Sequence, residues 1–249
     1  PDVRRMLLTS KAYIEGERAL AYWVGQLIDI EEHHPDEAAR AEASDLVALM
    51  TPVIKAFLTD TGFEVANLGL QCLGGHGYIR EFGLEQFVRD ARIAQIYEGT
   101  NGVQAMDLLG RKVPDGNGRL VRRFVSVVER DLAGAAERPA LAPMAERVRA
   151  SLELLGRVTG TVMARAARDP DEIGAAAADY LRLFGLVATG WMWVRMAVLG
   201  DSGSGGEVAA SKVATARFYV SRLLPQTNAL AEGIDSGAAP VMGLDPAAF

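Results

Sequence analysis

The stretch Ile96-Tyr97-Glu98-Gly99-Thr100-Asn101 places one carboxylate between two large apolar side chains and a glycine, just ahead of two residues able to cap a helix. Burial among such neighbours would disfavour the charged form and would suit Glu98 as a general base. The free amides of a helix starting behind Thr100 or Asn101 would form a site for an anion or a carbonyl oxygen. The same residues also fit a Glu in the first helical turn, where the macrodipole favours negative charge. Upstream, Leu70-Gln71-Cys72-Leu73-Gly74-Gly75-His76-Gly77-Tyr78 ends a helical pattern on adjacent glycines. They permit positive φ and close approach of another group to the backbone.

Other chemistry-bearing residues carry less. His76, without partners, reads as an exposed polar residue in a glycine turn. Cys72 is the single cysteine, so neither an internal disulfide nor a thiolate metal cluster can form. Three histidines are too few for a His-rich metal site, and no metal is expected. Arg89-Asp90 reads as a structural ion pair or cap, and Trp191-Met192-Trp193, with Phe184 and Leu186, as core.

The elements that must position Glu98 are helical. Val3, Met6, Leu7, Tyr13, Ile14, Leu20, Trp23, Val24 and Leu27 recur at helical spacing, with Asp2 as N-cap. A second helix is expected over 36–73, kinked or broken at Pro52 with Thr51 as a new cap. Then follow a turn over 78–83, a short helix over 84–92, a loop over 93–99 and a helix over 100–110. Residues 111–118 carry Pro114, Gly116 and Gly118 and read as a linker. Four further helices, over 120–136, 143–168, 171–199 and 207–232, read as an antiparallel bundle, with a flexible connector at 201–206 and Pro225 bending the last helix. The tail over 236–249 reads as irregular. The fold class is all-α, two helical bundles in sequence, divided into 1–113 and 114–249.

Length and composition agree. The chain has 249 residues, 49% hydrophobic and 23% charged, and is globular in character. A net charge of −6 is a poor match for nucleic acid or an anionic membrane. The longest charge-free apolar run, 183–194, is too short to span a bilayer, which takes about 20 residues. The chain opens on Pro1, straight into a helix, with no signal peptide pattern. It reads as a piece of a longer protein.

Taken together, Gln-x-Leu-Gly-Gly-x-Gly-Tyr from Gln71, Arg-Asp-Ala from Arg89 and Ile-Tyr-Glu-Gly-Thr from Ile96 closely resemble the C-terminal domain of the acyl-CoA dehydrogenase family. The strong match covers 69–113, and a weaker one covers 1–68. The region from Gly118 resembles the extra C-terminal helical domain of a bacterial long-form branch. The resemblance implies oxidation of an acyl-CoA thioester to the trans-2-enoyl-CoA with FAD. Glu98 would remove the α proton, and its own N–H would stabilise the enolate oxygen. Gln71, Cys72, Leu73, Gly74 and Gly75 match the segment reaching the FAD of a neighbouring subunit. Thr100 matches a second FAD contact, and Gly99 a position at the substrate thioester. The family often has Gln two residues after Thr100; Gly102 stands there, so Asn101 or the backbone would replace that contact.

The family's N-terminal helical and middle β domains would precede Pro1. The chain alone is therefore expected to be inert and to bind FAD poorly. For the intact protein the resemblance implies a cytoplasmic homodimer or higher homo-oligomer, passing electrons to an electron-transfer flavoprotein. The alternatives are an acyl-CoA oxidase, a non-catalytic oligomerisation module and a DNA-binding relative, the last disfavoured by the charge and by Glu98.

Overall fold

The computed structural model describes residues 1–201 and 206–248; most of the expected connector at 201–206, and Phe249 in the tail, lie outside the described residues. The α-helices are α1 (Asp2–His33), α2 (Glu37–Cys72), α3 (Gly75–Tyr78), α4 (Leu84–Ile93), α5 (Asn101–Asp107), α6 (Asp115–Ala136), α7 (Ala142–Ala166), α8 (Asp171–Asp201), α9 (Gly206–Phe218), α10 (Gln226–Asp235) and α11 (Ala239–Met242). No strand occurs among the described residues, so the fold is all-α as the periodicity requires.

Several helix ends differ from expectation for local reasons. Pro1 takes the cap position of α1, and Asp2 lies inside the helix, paired with Arg5 at 2.8 Å. Asp36 caps α2, accepting from the Ala38 N–H at 2.9 Å. Pro52 does not break α2. It lacks an N–H for the helical ladder, but it is buried, and packing along the helix outweighs that loss. Thr51 is no cap; its hydroxyl donates to the Val47 carbonyl one turn back, at 2.7 Å. Gly116, Asn117 and Gly118 take φ of 53°, 57° and 82°, a left-handed turn where the linker was expected. The tail is less irregular than its composition suggests, since it contains α11.

Two wide turns share one cause. Leu108–Lys112 and Tyr219–Leu223 are π-helical, and each ends two residues before a proline, Pro114 or Pro225. The Val113 N–H reaches the Leu108 carbonyl at 2.9 Å, and the Leu224 N–H reaches that of Tyr219 at 3.0 Å. A proline ring clashes with the carbonyl four residues back, and widening the turn moves that carbonyl aside. The single helix expected over 207–232 is thus α9, a wide turn and α10.

One core runs through the chain. α1 packs on α2, and α6, α7, α9 and α10 gather around α8, which also packs against α1, α2 and α5. Trp191 and Trp193 are fully buried, as the spacing implied. Their indole N–H groups are satisfied by Asp131 at 2.8 Å and by the Ala12 carbonyl at 3.0 Å. Asp45 of α2 pairs with Arg119 and Arg123 of α6, and Glu15 of α1 with Lys212 of α9 at 2.9 Å.

The long helices approach closely at two glycines. A Cβ on Gly16 would lie 2.6 Å from the Trp193 Nε1, and one on Gly185 would lie 2.3 Å from the Phe57 ring. We expect Gly16→Ala and Gly185→Ala each to cost about 1–3 kcal/mol by overpacking. Gly156→Ala, whose Cβ meets open space, should stabilise by up to about 1 kcal/mol through helix propensity. Urea unfolding of the three variants checks the contrast.

Glu17 is buried on α1 with Oε1 unpartnered. Desolvation, opposed by Thr61 and Arg182 and reinforced by Glu64, moves its carboxyl from the ordinary 4.5 up to about 8. The folded chain then holds a proton that the unfolded chain releases, so stability falls as pH rises from about 4.5 to about 8. The effect is on the order of a few kcal/mol. Glu17→Gln should remove this slope and exceed the parent in stability at pH 8.5. Unfolding at pH 6 and 8.5 tests it; the same slope in both proteins counts against it.

Candidate functional site

The segment after α4 is built as a closed loop. Its ends are joined by the Asn101 N–H, which donates to the Gln95 carbonyl at 3.1 Å. Thr100 is the N-cap of α5, its hydroxyl accepting from the Val103 N–H at 3.3 Å. Glu98 sits at the far side of this loop with φ 51°, and Gly99 follows with φ 81°. A positive φ is uncommon outside glycine and persists only where surrounding structure enforces it. Glu98 therefore does not occupy a first helical turn, the second placement its surroundings allowed.

Two side chains tie this loop to α2. The Asn101 amide nitrogen donates to Asp60 Oδ1 at 2.7 Å and lies 2.9 Å from the Thr59 hydroxyl. The Asn101 amide oxygen accepts from Lys55 Nζ at 2.7 Å. The amide is thus oriented by a cation at one end and a carboxylate at the other. Gln95, on the other side of Glu98, donates from Nε2 to the same Asp60 Oδ1 at 2.9 Å and accepts from Arg92 at 2.7 Å. Partial burial strengthens such charge-assisted bonds.

The Glu98 carboxylate is exposed, as are Ile96 and Tyr97 at 49% and 52%. The burial expected from its apolar neighbours is not found within this chain, because those side chains also face outward. Among the described residues, the N–H groups of Glu98, Gly99 and Thr100 have no protein partner. Glu98 is thus exposed and carries an N–H without a protein partner among the described residues.

The glycine turn lies elsewhere. Gln71 and Cys72 end α2, Leu73 follows, Gly74 takes φ 58° with ψ −140°, and Gly75 opens α3. Gln71, Leu73, Gly74 and Gly75 are exposed, and Cys72 is half-buried. Between Asp60 and Gln71 the helix rises about 17 Å at 1.5 Å per residue, so the glycine turn and Glu98 do not form one cluster. Asn101 does not cap α5; its side chain is turned onto α2. His76 is exposed and stacks edge-on with Phe82 at 5.2 Å. No Arg89–Asp90 pair forms among the described residues; Asp90 accepts from Gln86 at 2.7 Å.

Lys55, Thr59 and Asp60 were not singled out from sequence. Their signal was present: three polar residues at helical spacing within the apolar run 53–58 and its continuation.

The model described as acyl-CoA dehydrogenase, C-terminal domain, matches residues 1–112, and the one described as acetyl-CoA dehydrogenase C-terminal like matches residues 121–245. The chain belongs to the acyl-CoA dehydrogenase family. It is 40% identical over 238 residues to 3-methylmercaptopropionyl-CoA dehydrogenase of Ruegeria pomeroyi, covering 92% of this chain and 40% of that protein. It is 31% identical over 270 residues to the broad-specificity linear acyl-CoA dehydrogenase FadE5 of Mycobacterium tuberculosis, covering 100% and 43%. The chain thus spans about two-fifths of the length of these relatives. The same fold occurs in an acyl-CoA dehydrogenase of Bacillus anthracis complexed with FAD (TM-score 0.74, 19% identity, 92% of this chain and 41% of that one). It occurs also in Caenorhabditis elegans ACDH-11 in complex with C11-CoA (TM-score 0.71, 24% identity, 84% and 34%).

The glycine turn supplies a local test. A Cβ on Gly77 would lie 2.2 Å from the Leu70 carbonyl oxygen, whereas one on Gly75 meets open space. Gly77→Ala should loosen the end of α2 and cost about 1–3 kcal/mol. Hydrogen exchange at the Leu73 and Gly74 amides, bonded to Leu70 and Gln71, should accelerate in Gly77→Ala and not in Gly75→Ala.

Proposed function

We propose that this chain is the C-terminal part of a flavoprotein that oxidises an acyl-CoA thioester to the trans-2-enoyl-CoA, with Glu98 as the base that removes the α proton. The observation that carries this reading is the placement of Glu98: exposed, on left-handed backbone, on a loop closed by Asn101 and tied to α2. The backbone that carries this carboxylate is held in place by those bonds. Its own N–H, without a protein partner, is available to the thioester oxygen as negative charge grows there. One such prearranged donor contributes a few kcal/mol, about 3–4 where it has been removed by mutation.

FAD, when bound, supplies the acceptor for the β hydride. The residues proposed to hold it are Gln71, Cys72, Leu73, Gly74, Gly75, Thr100 and Asn101, with Gly99 at the thioester. The exposed Gly74–Gly75 backbone fits that role, since no side chain obstructs approach there. For Asn101 the fit is through its backbone, because its side chain is engaged on α2. The separation of the glycine turn from Glu98 agrees with the two serving different copies of the flavin in a homodimer or higher assembly.

The intact protein on this reading is cytoplasmic, passes electrons to an electron-transfer flavoprotein or to oxygen, and divides at about 113. This chain alone is inert. The helices α2 and α8 are long and apolar enough to cross a membrane by composition alone; α8 is nevertheless the core helix of this fold, and we assign no span. A second reading, a helical assembly module, is favoured by the exposed Tyr78, Phe82, Phe87, Ile93 and Tyr97 around α3 and α4. A strictly monomeric chain in concentrated sedimentation runs would count against it.

The deciding experiment uses the longer natural protein, titrated anaerobically with a panel of acyl-CoAs while flavin absorbance is followed. The expected result is bleaching that Glu98→Gln slows by at least about 10²–10⁴-fold, with acyl-CoA binding retained. Flavin that binds and never bleaches would overturn the dehydrogenase reading.

A further inference from the structure

The loop that carries Glu98 is fastened on both sides to one carboxylate. Asp60 Oδ1 receives Gln95 Nε2 at 2.9 Å from the residues before Glu98, and Asn101 Nδ2 at 2.7 Å from those after it. Gln95 and Asn101 are also joined through the main chain at 3.1 Å. The five residues 96–100 are thus the arc of a ring whose base is a single atom on α2, with the Ile96 and Tyr97 N–H groups also donating to the Ile93 carbonyl. That ring is more rigid than a hinge with one attachment, because rotation about either end stretches the bond at the other.

The partners of Asn101 fix its amide against flipping. Lys55 Nζ donates to the oxygen, while the nitrogen donates to Asp60 and, at 3.2 Å, to the Ala56 carbonyl. Reversing the amide would set its N–H groups against the ammonium and its oxygen against the carboxylate. Lys55, Ala56, Thr59 and Asp60 lie on one helix, so their spacing is set by the backbone of α2 and not by the loop.

We infer that Asp60, Asn101 and Gln95 are positioning residues for the base: they hold the Glu98 loop in register on α2 so that the carboxylate meets the substrate α carbon. The inference rests on the assignment of Glu98 as the base. None of the three is assigned a contact with the reacting atoms through its side chain. Their effect is on the geometry of Glu98 alone, and a misplacement of about 1 Å at a reacting group costs about 10²-fold in rate.

The test uses the full-length flavin-loaded protein and the acyl-CoA that bleaches it best. Asn101→Asp keeps the side-chain volume and sets a second carboxylate against Asp60. Asp60→Ala removes the shared acceptor. Each should slow bleaching, measured per bound flavin, by about 10- to 100-fold, with the acyl-CoA Kd close to the parent's. Asp60→Asn keeps an oxygen able to accept from both Gln95 and Asn101 and should retain most of the rate. In a Glu98→Gln background none of these changes should slow the reaction further.

The outcomes separate the two claims. If Glu98→Gln bleaches at the parental rate, the assignment of the base falls, and the positioning role with it. If Glu98→Gln is inactive while Asp60→Ala and Asn101→Asp bleach normally, only the positioning role is overturned. If Asp60→Ala loses its flavin or fails to fold, the isosteric Asn101→Asp and Asp60→Asn decide: a slow Asn101→Asp beside a near-parental Asp60→Asn sustains the inference, and any other pattern overturns it.

Discussion

Helix α8 has almost no face left for water, and the rest of the structure follows from accommodating it. From Leu183 to Val194 every residue is buried. A helix apolar all round must be surrounded, and it is covered here from both ends of the sequence, by α1, α2 and α5 and by α6, α7, α9 and α10. The approach is close enough that Gly16 and Gly185 face aromatic rings with no room for a methyl group. The two regions matched by separate family models therefore share one continuous core. Neither contains the partners that α8 needs without the other.

That arrangement makes α2 the ruler of the molecule. Its N-terminal half is held on the core side by Asp45 and the arginines of α6. Its middle presents Lys55, Thr59 and Asp60 to the Glu98 loop. Its end carries the glycine turn. Because one uninterrupted helix joins these three stations, their separations are set by helical rise and not by loop conformation. Continuity through Pro52 matters for this reason: a break there would have uncoupled the loop's attachment points from the core.

The helices were legible because apolar residues recur at helical spacing over long stretches, and most expected spans agree with the observed ones within a few residues. Local rules failed where tertiary packing overrode them. Pro52 is an instance, since burial of the surrounding face compensates a missing hydrogen bond. The π turns before Pro114 and Pro225 are another. There a proline ends regular pairing by widening the preceding turn, which a pattern of hydrophobic positions does not register. At the site, Glu98 was legible as the reactive group, but its exposure was not. Ile96 and Tyr97 look like a burying environment in sequence, and no rule of periodicity says which way loop side chains face. Asn101 drew attention for its place after Thr100, yet its partners lie more than forty positions earlier. Contacts of that separation leave no local signature.

A base on a helix would be simpler to hold, so its position on a loop calls for a physical reason. Inside a regular helix the N–H of a residue is already bound to the carbonyl four residues before it, leaving only the side chain free. Glu98 offers both its carboxylate and its N–H, because the chain there is neither helix nor strand. Freeing the amide removes the hydrogen-bond ladder that would otherwise fix the backbone, and the positive φ adds strain. Order must then come from outside the segment. The ring closed through Gln95, Asn101 and Asp60 supplies it without consuming any polar group between Tyr97 and Gly99. Rigidity is imported from α2, whose own order comes from the core around α8.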